Sequence, residues 1–478
     1  MGGSRSETGP SGHQKAGHPE DDHPDTGAVG RPRAETSGYY RTESADHPSV
    51  GATDHRHIDP NIDPHTDPLI DLMLNCLHQD SARFPREQLD ALSEDSRKRL
   101  FELAAEHRVV PLMYDRLTKA GVEWDTSMFH AYASAVARNN LRYFGELRTL
   151  LGHLGSRDIP VIALKGIHLS EEVYENPGLR EMNDIDIMVR TEHLKETWEI
   201  LTGMGYQSDT GIHYEAAGNY QVPTIIRRSH HLPPLLKEDV AAIEIHWNIT
   251  RPGKPYHIEP WPLWQQARRM TIAGQEAMVL SPEDLLLHLC VHTSYQHIFS
   301  FGMRPFCDIA ETVLRFDDRL DLDVVIRRAE ERNWNRGVFL ALELSRDFTG
   351  AAIPDEVLNR LRPDGYHPEM AATARAQILT KKEESAAISP SMVQFAAQKG
   401  ALTKIRTAWQ RIFLPEDVMV TKYPIRPGSP RRYLYYAVQL WQLLTYHTGR
   451  MIRMSRGDAN LSGIVRRKQS LSRWMHGE

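Results

Sequence analysis

Cysteine is scarce in this chain. Its 478 residues contain three cysteines, Cys76, Cys290 and Cys307, and no two of them form a Cys-x-x-Cys pair. A disulfide framework and a cysteine zinc site are therefore disfavoured, and a reducing, cytoplasmic compartment is expected. The first residues hold no apolar signal-peptide region, and no run approaches the roughly 18 apolar residues of a membrane span. Secretion and membrane insertion are disfavoured as well.

Several widespread enzyme motifs are also missing. The sequence contains no Gly-x-Ser-x-Gly, no phosphate-binding P-loop and no Gly-x-Gly-x-x-Gly, so serine hydrolase, P-loop and dinucleotide-binding functions lack support. What is present is an ordinary globular composition, with 40% hydrophobic and 25% charged residues in 54.6 kDa. That mass indicates more than one domain.

Positive charge is concentrated at one end of the chain. Residues 401–478 carry 14 Lys or Arg and four Asp or Glu, a net charge of +10 within a chain whose net charge is −6. One interpretation is a solvated helical face that docks on the acidic body, burying the apolar helix face of Leu434, Val438, Trp441 and Leu444. The other interpretation is contact with a polyanion such as RNA.

The distribution of hydrophobic residues predicts an α+β fold in which helical segments flank a short region of alternating strands and helices. Residues 1–66 have too few apolar groups to offset chain entropy. Their interleaved His and Asp residues could chelate a transition metal weakly, but without a scaffold to fix the geometry a polar tail with no metal site is the favoured interpretation. The predicted order is a disordered tail rich in His, Asp and Pro at 1–66, a helical segment at 67–155, a core at 156–270, a helical domain at 271–363, a hinge at 364–400 and a basic helical segment at 401–478.

Three acidic residues on two predicted strands point to a metal site. Asp184 and Asp186 are two apart on a strand, so their carboxylates project from one face about 7 Å apart. Glu244 is a lone acid in an otherwise apolar strand at 240–247, where an unpaired charge would be costly. Carboxylates in this pattern favour hard cations such as Mg²⁺ or Mn²⁺. Gly166 opens a helix whose free backbone N–H groups can bind phosphate.

These residues resemble the bacterial "uncharacterised nucleotidyltransferase" family of the DNA polymerase beta-like nucleotidyltransferase superfamily. The resemblance covers about residues 70–340 and lies in the runs Ala163-Leu-Lys-Gly-Ile-His-Leu169, Gly178-Leu-Arg-Glu-Met-Asn-Asp-Ile-Asp-Ile-Met-Val189, His230-His-Leu-Pro-Pro234, Ile243-Glu-Ile-His-Trp247, Leu280-Ser-Pro-Glu-Asp-Leu-Leu-Leu-His-Leu289 and Cys307-Asp-Ile-Ala310. It implies a mixed-sheet nucleotidyltransferase core in the α+β fold.

The resemblance also implies an activity. A nucleotidyl group would move from a nucleoside triphosphate such as ATP to an acceptor that the sequence does not specify, be it a small molecule, a peptide, a protein or an RNA. Asp184, Asp186 and Glu244 would be the catalytic metal ligands. Lys165 and Arg180 are then the expected contacts of the triphosphate, beside Gly166.

Two other functions remain open at this stage. The superfamily pattern has Gly-Ser where this chain has Gly166-Ile167, a departure that favours a non-catalytic binding protein built on the same fold. A glycosyltransferase with an Asp-x-Asp motif is the other alternative. The helical segment before residue 156 and the presence of Glu244 argue against it.

A histidine pair offers a second, weaker metal pattern. His288 and His292 are four residues apart on a predicted helix and share one face. The glutamate of a metalloprotease motif is missing, so histidines that lie in the core or line the site are the favoured interpretation.

Overall fold

The computed structural model describes residues 67–208, 221–380, 400–423, 425, 428–455 and 459–477. The predicted tail at 1–66 and residues 381–399 of the predicted hinge lie outside the described residues. Within the described residues, seven strands form one mixed sheet among many helices, so the predicted α+β fold class is confirmed.

The sheet combines parallel and antiparallel strand pairs. Its strands are β1 (Ile162–Ala163), β2 (Asp184–Met188), β3 (Gln207–Ser208), β4 (Leu235–Leu236), β5 (Ala242–His246), β6 (Arg268–Ile272) and β7 (Gln275–Val279). Their order across the sheet is β3-β4-β5-β2-β1-β7-β6. β2 is parallel to β5 and β1 is parallel to β7, whereas the other neighbours are antiparallel.

Helices precede, interrupt and follow the sheet. Before it lie α1 (Pro68–Leu77), α2 (Arg86–Asp90), α3 (Glu94–Glu106), α4 (Val110–Lys119) and α5 (Ser127–Gly155). Between its strands lie α6 (Lys165–His168), α7 (Leu194–Gly203), α8 (Gln221–Arg228) and α9 (Trp261–Gln266). After it lie α10 (Pro282–Val291), α11 (Arg304–Arg315), α12 (Leu322–Glu331), α13 (Asn335–Thr349), α14 (Asp355–Leu361) and α15 (Glu369–Ile378), followed by α16 (Ala401–Ile412), α17 (Glu416–Lys422), α18 (Arg432–Ser455) and α19 (Ala459–His476).

β2 and β5 divide their side chains between two different cores, because successive residues of a strand point to opposite faces. Ile185 and Ile187 are fully buried in a core formed with α5 and α7. Each such side chain contributes about 1.5–3 kcal/mol of burial free energy. Met188, on the other face, is buried in the larger core of the helical part. The residues that share a face with Met188 therefore lie between the sheet and the helices.

The basic C-terminal segment docks through only part of its length. Leu471 and Met475 of α19 are 0% and 3% exposed and belong to the helical core, as the docking interpretation expects. The same interpretation is wrong for α18, where Leu434 and Trp441 are 69% and 57% exposed. The side chain of Leu444 lies outside the described ones.

The predicted hinge at 364–400 begins with ordered structure. It contains α15, whose Ala374 and Ile378 are buried in the helical core. Throughout the part of the chain that is described, no helix combines the length and the apolar character needed to cross a membrane.

Candidate active site

The three predicted acids lie on two neighbouring parallel strands. Asp184 and Asp186 of β2 alternate with buried isoleucines and so point to the same face. In the register of β2 and β5, Asp184 is opposite Ala242 and Asp186 is opposite Glu244. Neighbouring strands are about 4.8 Å apart, so Asp186 and Glu244 are held side by side. The structure therefore brings all three acids onto one face of the sheet.

Asp186 is the most enclosed of the three acids, at 2% exposure. Its Oδ1 accepts hydrogen bonds from Lys165 Nζ at 3.1 Å and from His246 Nε2 at 2.8 Å. Burial alone would raise the pKa of the Asp186 carboxyl, but the Lys165 ammonium and the His246 hydrogen bond outweigh burial and hold this pKa below its usual range. Asp186 therefore carries a negative charge at neutral pH.

His246 completes a cluster that the sequence analysis missed. It follows Glu244 by two residues on β5 and so lies on the same face. Its Nε2 is 3.3 Å from Glu244 Oε2 as well as 2.8 Å from Asp186 Oδ1. One ligand atom from each of Asp186, Glu244 and His246 lies within 4.8 Å of the other two, so these residues can hold one metal ion. The Glu-x-His spacing on a predicted strand was the signal that could have identified His246.

Glu244 is surrounded by histidine rings. Burial alone would raise the pKa of the Glu244 carboxyl, but His231 and His246 outweigh burial and lower it. The centroid of the His231 ring is 4.7 Å from that of His230 and 5.0 Å from that of His246. His231 Nδ1 lies 3.9 Å and His246 Nε2 lies 3.3 Å from Glu244 Oε2, so these two rings border the carboxylate.

Asp184 differs from the other two acids. Burial, together with the negative charges of Asp186 and Glu244, raises the pKa of its carboxyl to about 6. Lys165 and Arg304 oppose the increase without cancelling it. The negative charge on this face is thus only partly compensated by the protein's own cations. That imbalance fits a face that receives a further cation.

The sequence comparison agrees with this geometry. Residues 93–350, more than half of the chain, match the model of a family described as "Uncharacterised nucleotidyltransferase". The chain belongs to the uncharacterised nucleotidyltransferase family. The resemblance stated from the sequence is thereby confirmed. No curated protein and no solved structure matched the chain.

Two of the predicted nucleotide-binding residues of this nucleotidyltransferase family member begin α6. Lys165 has a φ of +40°, uncommon for a residue with a side chain, and its ammonium contacts Asp186. Gly166 is buried, and a Cβ at this position would lie 3.0 Å from Arg180 Nη1 and 3.2 Å from Met182. Close packing therefore explains the glycine. Its contact with phosphate stays a prediction.

Arg180, the third predicted phosphate contact, takes part in a buried ion pair. Its Nε and Nη2 each donate to the Asp308 carboxylate at 2.8 Å, and the Tyr174 hydroxyl donates to the same carboxylate at 3.0 Å. This pair joins the loop before β2 to α11. Arg304, at the start of α11, is the second cation, after Lys165, whose charge opposes the raised pKa of Asp184. The role of Arg180 in phosphate binding stays a prediction.

The predicted histidine pair, His288 on α10 and His292 directly after it, lines the site. His288 and His292 have ring centroids 6.1 Å apart in a perpendicular arrangement. Burial holds the pKa of His288 well below its usual value, and the positive charges of Lys165 and His246 lower it further. Among the described residues, the structure brings together three potential metal ligands, Asp186, Glu244 and His246. The interpretation of His288 and His292 as site-lining residues is therefore favoured over a second metal site.

α19 supplies a cation from outside the segment that matches the family. Lys468 is 6% exposed, and burial lowers its pKa to about 8. Its charge acts on the pKa of His297, which follows α10. The neighbouring Arg467 donates from Nη2 to Thr380 Oγ1 at 2.9 Å, which fixes this part of α19 against the end of α15. Lys468 therefore lies on the helical side of the site.

Proposed function

We propose that this protein is a metal-dependent nucleotidyltransferase that moves a nucleoside monophosphate group from a nucleoside triphosphate, such as ATP, to an acceptor still to be identified. The observation that carries the proposal is the pair Asp186 and Glu244, held side by side on parallel strands with Lys165 Nζ 3.1 Å from Asp186. Adjacent buried carboxylates are unfavourable unless cations compensate them. Such a pair within a nucleotidyltransferase family is best explained by binding of a cation and its phosphate ligand.

The donor set supports Mg²⁺ or Mn²⁺ as the cofactor. Asp186 and Glu244 offer the carboxylate oxygens that both ions prefer, whereas His246 offers a nitrogen suited to softer divalent ions. Asp184, two residues before Asp186 on β2, is the third predicted carboxylate ligand. When bound, the ion supplies positive charge to phosphate oxygens. Comparing several divalent ions in one assay will show which of them the site uses.

The protein's own residues would bind and position the substrates. In the proposed reaction, an acceptor atom forms a bond to the α-phosphorus while the bond from that phosphorus to the oxygen bridging it to the β-phosphorus breaks, and pyrophosphate leaves. Lys165 is placed to hold a phosphate oxygen, because its ammonium already lies at the acidic face. Arg304 adds positive charge near Asp184. Positioning and charge stabilisation are the expected contributions to rate.

A label-transfer assay tests the proposal. The protein is incubated with each α-labelled nucleoside triphosphate, with Mg²⁺ or Mn²⁺ and with cell extract, and the labelled product is identified. We expect Asp186→Asn and Glu244→Gln to lower the transfer rate by at least about 100-fold. Glu276→Gln is the matched control, because this carboxylate lies in the same sheet on β7 with 69% of its side chain exposed. A wild-type rate equal to that of Asp186→Asn would refute the proposed activity.

One observation favours a second candidate function. Lys165 and His246 already contact Asp186, so the protein's own cations neutralise part of the acidic face. A non-catalytic binding protein would need no more than this. Equilibrium dialysis with Mn²⁺ separates the two functions. The non-catalytic binding protein predicts no metal binding that depends on Asp186 and Glu244, whereas the nucleotidyltransferase requires it.

We also propose how the regions divide the work. The predicted core at 156–270 supplies the acids, and the helical domain at 271–363 covers them with Arg304, His288 and His292. The basic segment at 401–478 contributes Lys468 and offers exposed cations for a polyanionic partner. Three buried free cysteines fit a reducing, cytoplasmic location.

A further inference from the structure

The segment that joins α10 to α11 crosses the acidic face. At its start, Gln296 Nε2 donates to the carbonyl of Ile249, three residues beyond β5, at 2.6 Å. At its end, Arg304 Nη1 donates to the carbonyl of Glu181, three residues before β2, at 2.9 Å. Because β2 and β5 are parallel and in register, the two attachment points lie at opposite ends of this strand pair. The segment between them therefore spans the length of the strands that carry the acids.

Charge interactions with the acids agree with this position of the segment. Burial and the positive charge of Lys165 lower the pKa of His297 to about 3, although the negative charge of Glu244 opposes the decrease. Arg304 acts in turn on the pKa of Asp184. Both effects require proximity to the acids. His297 is uncharged at neutral pH for the same reasons.

Three aromatic rings form a continuous patch in this segment. The centroid of the His297 ring is 3.9 Å from that of Phe301 and 4.5 Å from that of His292, and His292 lies 5.8 Å from Phe301. All three side chains are half-buried, so each ring keeps part of its surface accessible. Neutral histidine and phenylalanine rings present flat, weakly solvated faces.

The backbone beneath the patch is strained. His292–Gln296 forms a π-helical turn, and two consecutive residues, Ile298 and Phe299, have φ values of +47° and +54°. Residues of this kind cost about 1–3 kcal/mol each and persist where the surrounding structure holds them. Phe299 is fully buried and its ring stacks on Phe306, so the strained turn separates a core ring from the rings of the patch. π-helical turns and strain of this kind cluster at functional sites.

We propose that His292, His297 and Phe301 form a stacking platform for the nucleobase of the bound nucleoside triphosphate. The proposal rests on the proposed function, because that function requires a nucleotide with its phosphates at Asp186 and Lys165. Stacking on aromatic rings is available to every base, so the platform predicts affinity for several nucleoside triphosphates rather than strict selection of one.

Two ligands separate the platform from the phosphate site. ATP and inorganic tripolyphosphate are titrated against the full-length protein with Mn²⁺, and binding is measured by calorimetry. Phe301→Ala and His297→Ala should each weaken ATP binding by about tenfold or more, the loss typical of one base-stacking ring. Their tripolyphosphate binding should equal that of the wild type, which also shows that the variants are folded. Phe301→Trp should restore ATP binding.

The outcomes separate the two proposals. If the wild type binds neither ligand, the nucleotidyltransferase function and the platform both fall. If the wild type binds both ligands and the alanine variants bind ATP as tightly as the wild type, only the platform falls.

Discussion

Charged side chains are arranged in opposite ways at the candidate site and on helices α16 to α18. At the site, Asp186 is 2% exposed and contacts both Lys165 and His246. On the basic helices, the pair of Arg432 and Glu416 is 3.3 Å apart with side chains 31% and 42% exposed. The first arrangement takes charges out of water and the second leaves them solvated.

The difference decides where function is to be sought. Two opposite charges about 4 Å apart interact by about 1 kcal/mol in water and by about 4 kcal/mol in a partly buried setting. The desolvation cost rises in the same direction, so buried charges persist only with closely fitted partners. The basic helices meet no such requirement, and a solvated surface is enough to account for them. The buried cluster therefore gives the stronger indication of a function.

The largest expected effect comes from breaking a buried ion pair. Asp308→Ala should lower the free energy of unfolding by about 3–5 kcal/mol, because it leaves the Arg180 guanidinium buried without its partner. The control is Glu276→Ala, which removes a 2.6 Å contact with Arg269 in which both side chains are mostly exposed. That change should cost no more than about 1 kcal/mol. Urea denaturation followed by circular dichroism measures both, and equal losses would show that burial is not the deciding factor.

A somewhat smaller loss of stability should follow when a buried side chain of α19 is shortened. Leu471 is fully buried in the helical core, so Leu471→Ala should lower the free energy of unfolding by about 2–4 kcal/mol. Trp441→Ala on α18 removes a larger side chain that is 57% exposed, and we expect a loss under about 1 kcal/mol. Thermal unfolding of the two variants provides the measurement. A larger loss for Trp441→Ala would mean that a partner covers α18 in solution.

The sequence predicted the strands that carry the acids because their pattern is local. Alternation of acids with isoleucines identified Asp184–Met188, and a β-branched apolar run identified Ala242–His246, each with an error of no more than two residues at an end. The β6-β7 hairpin was missed. Its turn at Ala273-Gly274 has two positive φ values and one glycine, a weak signal in sequence.

Strand periodicity predicted the parts of the site that share a strand, and the family resemblance linked Glu244 to the two aspartates. Asp184 and Asp186 are linked by strand periodicity, and His246 could have been linked to Glu244 in the same way. The pairing of Arg180 with Asp308 joins residues far apart in sequence, and no local rule specifies it. The π-helical turns at Leu169–Val173 and His292–Gln296 depend on tertiary packing for the same reason.

Acid pH should weaken the contacts of the Glu172 carboxylate with His168 and Arg268 beside the site. Burial would raise the pKa of the Glu172 carboxyl, but hydrogen bonds from His168 and Arg268 outweigh burial and lower the pKa to about 2. The folded pKa lies below the unfolded value of about 4.3, so this contribution is present above pH 5 and is lost as pH falls toward 2. Glu172→Gln should remove about 1 kcal/mol at pH 7 and flatten the dependence of stability on pH between 5 and 2. Denaturation curves at several pH values test this, and a slope identical to that of the wild type would contradict it.

The smallest effect on stability is expected at the basic helices, where a change in binding is more informative. Arg431 lies in the exposed part of this segment, and the exposed Arg432 pair with Glu416 contributes at most about 1 kcal/mol. The double change Arg431→Glu and Arg432→Glu should therefore leave the melting temperature nearly unchanged.

If this surface contacts single-stranded RNA, each lost phosphate contact reduces the slope of log affinity against log salt by about 0.7, so the double variant should lose about 1.4. Lys195→Glu together with Glu199→Lys, on the exposed face of α7, preserves net charge and serves as the control. An RNA affinity that does not depend on salt, or a slope that the double variant leaves unchanged, would mean that these helices present only a solvated face.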